Sequence, residues 1–104
     1  MAETFRVLLR MCTHPGRAGE FEAAWHAGAD IITTQPGNLG QWLARSSEEE
    51  GVYYITSDWT DEDTFRRYER SETHLAHRRR LHPFRSSGSM TTMTVLRAMT
   101  GAAG

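Results

Sequence analysis

His74 and His77 lie three residues apart in the run Ser-Glu-Thr-His-Leu-Ala-His-Arg-Arg-Arg, residues 71–80, so on a helix they share a face. An imidazole titrates near neutrality, and either ring can therefore take a proton inside a cavity. His74 is the first candidate for a general base, with His77 and Arg78 as partners for a substrate anion. The plainer reading makes His74 a local packing or capping residue and leaves His77 and the arginines on a solvated face. As a zinc pair the histidines lack a third ligand nearby, since Cys12 with His14 is a weak complement, and no metal site is expected.

Aromatic residues precede the histidines. Phe65 and Tyr68 share a helical face, and Trp59 closes a strand just before them, so the three can wall a pocket for a flat ligand. Tyr54 and Tyr68 carry phenol groups able to donate to an enolate oxygen, and Trp25 is a further wall candidate that also fits the core. Gln41 or Trp42 is a second-rank candidate.

These residues need elements to hold them. Thr4–Met11 reads as a strand with Phe5, Val7, Leu9 and Met11 on one side. A helix follows over about 17–34, in which Phe21, Trp25, Gly28 and Ile32 form a core-facing stripe. Gly28 costs about 1 kcal/mol there relative to alanine, which predicts a close approach by the sheet backbone or a ligand. Pro36-Gly37 stops the helix, and Asn38 serves the turn. Strands over 39–46 and 52–59 are joined by an acidic hairpin loop. Thr60 and Asp63 have the spacing of a helix N-cap and its partner, and Ser71 is placed to cap the turn that carries the histidines. Residues 83–89 read as a loop, 90–99 as the last strand and 101–104 as a disordered tail.

At 104 residues the chain is expected to form one domain, 1–104, of β-α-β-β-α-β order: an α+β, ferredoxin-like arrangement with both helical layers on one face of an antiparallel sheet. Apolar residues occupy both alternation phases of the strands, as in Tyr53, Ile55 and Trp59 against Val52 and Tyr54. A sheet open to water on one side does not need that, so a second copy is expected to cover the other face, giving a homodimeric α+β barrel.

The formal net charge of -1 offers nucleic acid or an anionic membrane no general attraction. The sequence has no lysine, which excludes Schiff-base catalysis and a Walker-type phosphate loop. A single cysteine, Cys12, excludes an internal disulfide. No signal-peptide pattern or membrane-length apolar run is evident, and a cytoplasmic location is expected.

Pro36-Gly37-Asn38-Leu39, Ile55-Thr56-Ser57-Asp58-Trp59, Phe65, Tyr68-Glu69-Arg70-Ser71 and His74 resemble the antibiotic biosynthesis monooxygenase superfamily, nearest to small proteins of bacterial type II aromatic polyketide clusters. The resemblance implies a dimeric barrel with one pocket per subunit, between sheet and helices. It also implies oxidation of an anthrone-type aromatic polyketide by O2 with no cofactor. Quinone-forming members carry an asparagine four residues before the strand-three tryptophan, where this chain has Ile55, and a tyrosine where it has Phe65; the base then comes from elsewhere. Heme-degrading members carry a strand-one asparagine, here near Leu9, and a heme-ligating histidine from which His77 is one residue out of register, which disfavours that activity. A polyketide cyclase of the same barrel and a non-catalytic polyketide-binding accessory protein are the rival expectations.

Overall fold

The computed structural model describes residues 3–104. Its elements are β1 (Thr4–Thr13), α1 (Ala18–Thr33), β2 (Asn38–Arg45), β3 (Val52–Trp59), α2 (Glu62–Glu69), α3 (Glu72–Leu81) and β4 (Arg85–Val95), with a single 3-10 turn, His82–Phe84, before the last strand. The four strands form one antiparallel sheet in the order β2-β3-β1-β4. This is the ferredoxin-like arrangement, its second helical layer broken into α2 and α3.

The apolar stripe of α1 packs as its spacing predicts: Phe21, Trp25, Gly28, Ala29 and Ile32 are buried. One end of the core gathers Phe21, Trp25, Tyr53, Ile55 and Leu81; the other gathers Val7, Ile32, Trp59, Phe65 and Tyr68. Gly37 has a positive φ of 84°, and a Cβ there would lie 2.6 Å from Thr64, so the turn into β2 admits only glycine without displacing α2.

Several local expectations are corrected. The N-cap of α2 is Asp61, whose carboxylate accepts from the Thr64 N–H at 2.8 Å, and not Thr60. The Thr60 N–H is bonded to the Gly37 carbonyl at 2.8 Å, which keeps Thr60 with the sheet and starts the helix one residue later. Asp58, at the end of β3, is buried and bonded by both oxygens to its cross-strand neighbour Arg6, at 2.7 and 2.9 Å. The last strand runs over Arg85–Val95, not 90–99. Its serine- and glycine-rich start pairs with the end of β1, Thr13 opposite Arg85 and Met11 opposite Gly88, while Leu96–Met99 lie beyond the first residue of β1 and have no ladder partner among the described residues. Residues 96–104 are exposed, with one turn bond from the Gly104 N–H to the Gly101 carbonyl. Among the described residues, no helix is long and apolar enough to cross a membrane.

Candidate active site

The helix-facing phase of the sheet carries Val7, Leu9 and Met11 on β1, Gln41 on β2, and Ile55, Ser57 and Trp59 on β3. Above these residues, between the sheet and α1, α2 and α3, lies a cavity of about 260 Å³. Six of the residues singled out on sequence, Trp59, Phe65, Tyr68, His74, His77 and Trp25, line it, and Arg78 stands at its edge with an exposed side chain. Tyr54 does not line it. It alternates with Tyr53 and Ile55, which pack in the core, and sits between Arg10 and Ala44 on the opposite face of the sheet. Trp42 lies on that opposite face too, opposite Thr56 and 53 % exposed, while Gln41 faces the cavity.

The aromatic walls are built from the end of β3. Trp59 is wholly buried and stacks on Tyr68, with ring centroids 5.3 Å apart and planes 25° apart, and meets Phe65 edge-on at 5.6 Å. His74 in turn meets Tyr68 edge-on at 5.0 Å. Ser71 begins α3 as its position predicts, its hydroxyl accepting from the His74 N–H at 3.2 Å and donating to the Tyr68 carbonyl at 2.6 Å. That one serine ties the last turn of α2 to the first turn of α3, and so ties the phenol to the imidazole.

His77 is placed by Gly28. A Cβ on Gly28 would fall 2.3 Å from the His77 Nδ1 and 2.3 Å from an Arg80 guanidinium nitrogen, so the close approach predicted at this glycine is by α3, neither by the sheet backbone nor by a ligand. The missing side chain lets α3 settle on α1 deeply enough to bury His77.

The polar atoms inside are short of partners. The Tyr68 hydroxyl, the Nδ1 of His74 and both ring nitrogens of His77 are buried with no hydrogen-bond partner among the described residues. Such groups are costly unless something meets them, and they point to a ligand that carries oxygens into an otherwise apolar space. Burial pushes the Tyr68 phenol up to about 12. Burial, then the Arg78 charge, lowers His74, against a smaller opposing effect of Glu69. Burial, then Arg80 and His74, pushes His77 down to about 4. Both imidazoles are therefore neutral near pH 7, each with one N–H to give and one lone pair to accept a proton. Among the described residues no three His, Cys, Asp or Glu side chains converge.

Ser57, Glu69 and Arg85 are among the lining residues that escaped the sequence reading. Ser57 lies in the same strand phase as Ile55 and Trp59, and that alternation was signal enough. Glu69, one residue past Tyr68, also lines the cavity and is held by Arg66 at 3.1 Å. Arg85 had no signal, because a predicted loop hid it. Its guanidinium lies over Gly88, where a Cβ would meet it at 2.8 Å.

The chain is similar to solved structures along nearly its whole length. SnoaB, a cofactor-independent oxygenase from Streptomyces nogalater, is 25% identical, with a TM-score of 0.84 over 96% of this chain and 100% of that one. A candidate antibiotic biosynthesis monooxygenase from Caulobacter crescentus CB15 is 21% identical, with a TM-score of 0.83 over 92% of each chain. PA3566 from Pseudomonas aeruginosa is 18% identical, with a TM-score of 0.81 over 93% of this chain and 98% of that one. The last two likenesses speak for the fold alone. No curated protein matches the sequence. The model of one family, antibiotic biosynthesis monooxygenase, matches residues 4–80, from the first strand to the end of the helix that carries both histidines. That match spans well over half of the chain, and the chain belongs to the antibiotic biosynthesis monooxygenase family.

Proposed function

We propose that this protein is a cofactor-independent monooxygenase that oxidises an aromatic polyketide of the anthrone or polyphenol type with O2. The observation that carries the reading is the set of partnerless buried polar atoms of Tyr68, His74 and His77 in an aromatic cavity. The similarity to a cofactor-independent oxygenase from Streptomyces nogalater supports it. In this reading the flat substrate lies against Trp59, Phe65 and Tyr68, with Trp25 closing the far side.

His74 takes the proton, because its imidazole is neutral and less depressed in basicity than that of His77, which is held near 4. His77, as a neutral N–H donor, and Arg78 hold the resulting anion. An electron-rich anion of this kind reduces O2 directly, and recombination gives a hydroperoxide. Loss of water from it converts the anthrone methylene to a carbonyl, so that one O2 yields one quinone oxygen and one water. The protein's part is to bind, deprotonate and stabilise in a dry site.

Oxygen uptake by metal-free protein with a tricyclic anthrone tests this. Uptake above the no-protein blank is expected, and His74→Ala is expected to lower it about a hundredfold. Uptake equal to the blank, with the anthrone bound, sinks the oxygenase. Product formed under nitrogen would then mark a cyclase, and no product a binding protein.

We also propose that the protein works as a homodimer. The sheet face turned away from the helices carries Leu8, Trp42, Tyr54 and Met93, and Trp42 and Met93 are 53 % and 37 % exposed. Apolar area of this kind on a sheet face is stabilised when a second copy covers it. Sedimentation at micromolar concentration is expected to give one species at twice the chain mass, and Trp42→Arg to shift it to the monomer. A native monomer rules the dimer out.

A further inference from the structure

Ser57 enters the cavity between Ile55 and Trp59 on β3, with Val7 and Gln41 as its cross-strand neighbours. The indole N–H of Trp59 donates to the Ser57 oxygen at 3.0 Å. Trp59 is wholly buried and Ser57 is half-buried. A serine oxygen that accepts from an indole keeps its own proton to give, and its rotation is restricted because one lone pair is already committed. Among the described residues the Ser57 hydroxyl has no acceptor for that proton. Its neighbour Gln41 turns an amide N–H to the Ala29 carbonyl at 3.3 Å, and Ile55 has nothing to donate, which leaves Ser57 as the free hydroxyl donor that β3 brings to the cavity.

We infer that Ser57 is a further hydrogen-bond donor to the anionic substrate, a phenolate or enolate, beside His77 and Arg78, and that Trp59 is the positioning residue that aims it. The inference rests on the aromatic-substrate reading above and adds to it a second wall: the base and the first anion partners come from α3, and a further donor comes from the sheet opposite. A relay of indole N–H to hydroxyl to oxyanion strengthens along its length, because each bond polarises the next. The donor is preformed, which suits it to charge that develops during deprotonation rather than to the neutral substrate.

The test uses 2-hydroxyanthraquinone, a tricyclic phenol whose visible absorption reports its ionisation, titrated while bound to the purified protein. The bound probe is expected to ionise at a lower pH than the free probe. Ser57→Ala is expected to raise the pKa of the bound probe by about one unit, a tenfold loss of ionisation, while affinity for the neutral probe changes less than about twofold. Ser57→Thr, which keeps the hydroxyl, is expected to restore the native value, and Trp59→Phe, which keeps a ring and loses the N–H, to raise it by less than Ser57→Ala does. A probe that binds and ionises alike in native protein and Ser57→Ala overturns the role of Ser57 and leaves the aromatic pocket standing. A probe that fails to bind the native protein overturns the pocket reading and this inference with it.

Discussion

Trp59→Ala is expected to lower stability by about 4 kcal/mol, the middle of the range for removing a large buried aromatic side chain. Trp59 is 0 % exposed and joins two layers: its backbone closes β3 opposite Phe5 and Asn38, and its ring stacks on Tyr68 and meets Phe65 from α2. Truncation removes both aromatic contacts and leaves a void beside an existing cavity, so no neighbouring group can relax into the space. For a domain of this size that loss corresponds to a fall of roughly 20 °C in the unfolding midpoint, a large share of a total stability of about 5–15 kcal/mol. Thermal unfolding followed by circular dichroism measures it directly. Leu39, 56 % exposed, is the control, and Leu39→Ala is expected to change stability by less than about 0.5 kcal/mol. A midpoint for Trp59→Ala within about 5 °C of native would show that the indole does not hold α2 to the sheet.

The reach of the sequence is visible in the same residues. Val52–Trp59 was legible in full, because aromatic and β-branched residues fill it and Gly51, with φ 75°, turns the chain into it. The α1 stripe and the Ser71 cap were legible because helical spacing and cap chemistry are local. The side of β3 that meets the helices was not: Val52 and Tyr54 are as apolar as Tyr53 and Ile55, so alternation alone set Tyr54 level with Trp59 as a pocket residue. The register with β1 and β2 resolves it. The start of β4 was hidden for a different reason. Ladder bonds are made by the backbone, and Arg85–Ser89 are in a strand because β1 extends to Thr13 beside them, which no property of serine or glycine announces. Arg85 was missed as a cavity residue on that account. Gly28 signalled close packing but not its partner, since α3 is about fifty residues away and the contact is tertiary.

The buried histidine of α3 carries an acid sensitivity whose sign is fixed by its surroundings. Burial, then Arg80 and His74, holds His77 at about 4, against an ordinary value of 6.5. Between those two values the unfolded chain binds a proton that the folded protein does not. Stability therefore rises with pH across that interval, is undiminished above about 6.5, and falls progressively as pH drops toward 4. The loss contributed by His77 is about 3 kcal/mol. His74, lowered for the same first reason, adds in the same direction. Urea unfolding of native protein and His77→Leu at pH 7.5, 6 and 4.5 isolates the effect, because every other titrating group is common to both. Neither ring nitrogen of His77 has a partner to lose, so leucine is expected to be near neutral at pH 7.5 and to gain about 3 kcal/mol on the native protein by pH 4.5. Parallel stability curves for the two proteins would exclude His77 as the source. The same experiment bears on the pocket: an anion held against His77 favours the imidazolium and returns its pKa toward 6.5. Saturating anthraquinone-2-carboxylate, an anion across this pH range, is thus expected to narrow the gap between the two curves at acid pH, beyond the uniform stabilisation that any bound ligand gives. A ligand that stabilises both proteins equally at every pH sits elsewhere in the cavity, against Trp59 and Phe65 but out of reach of α3.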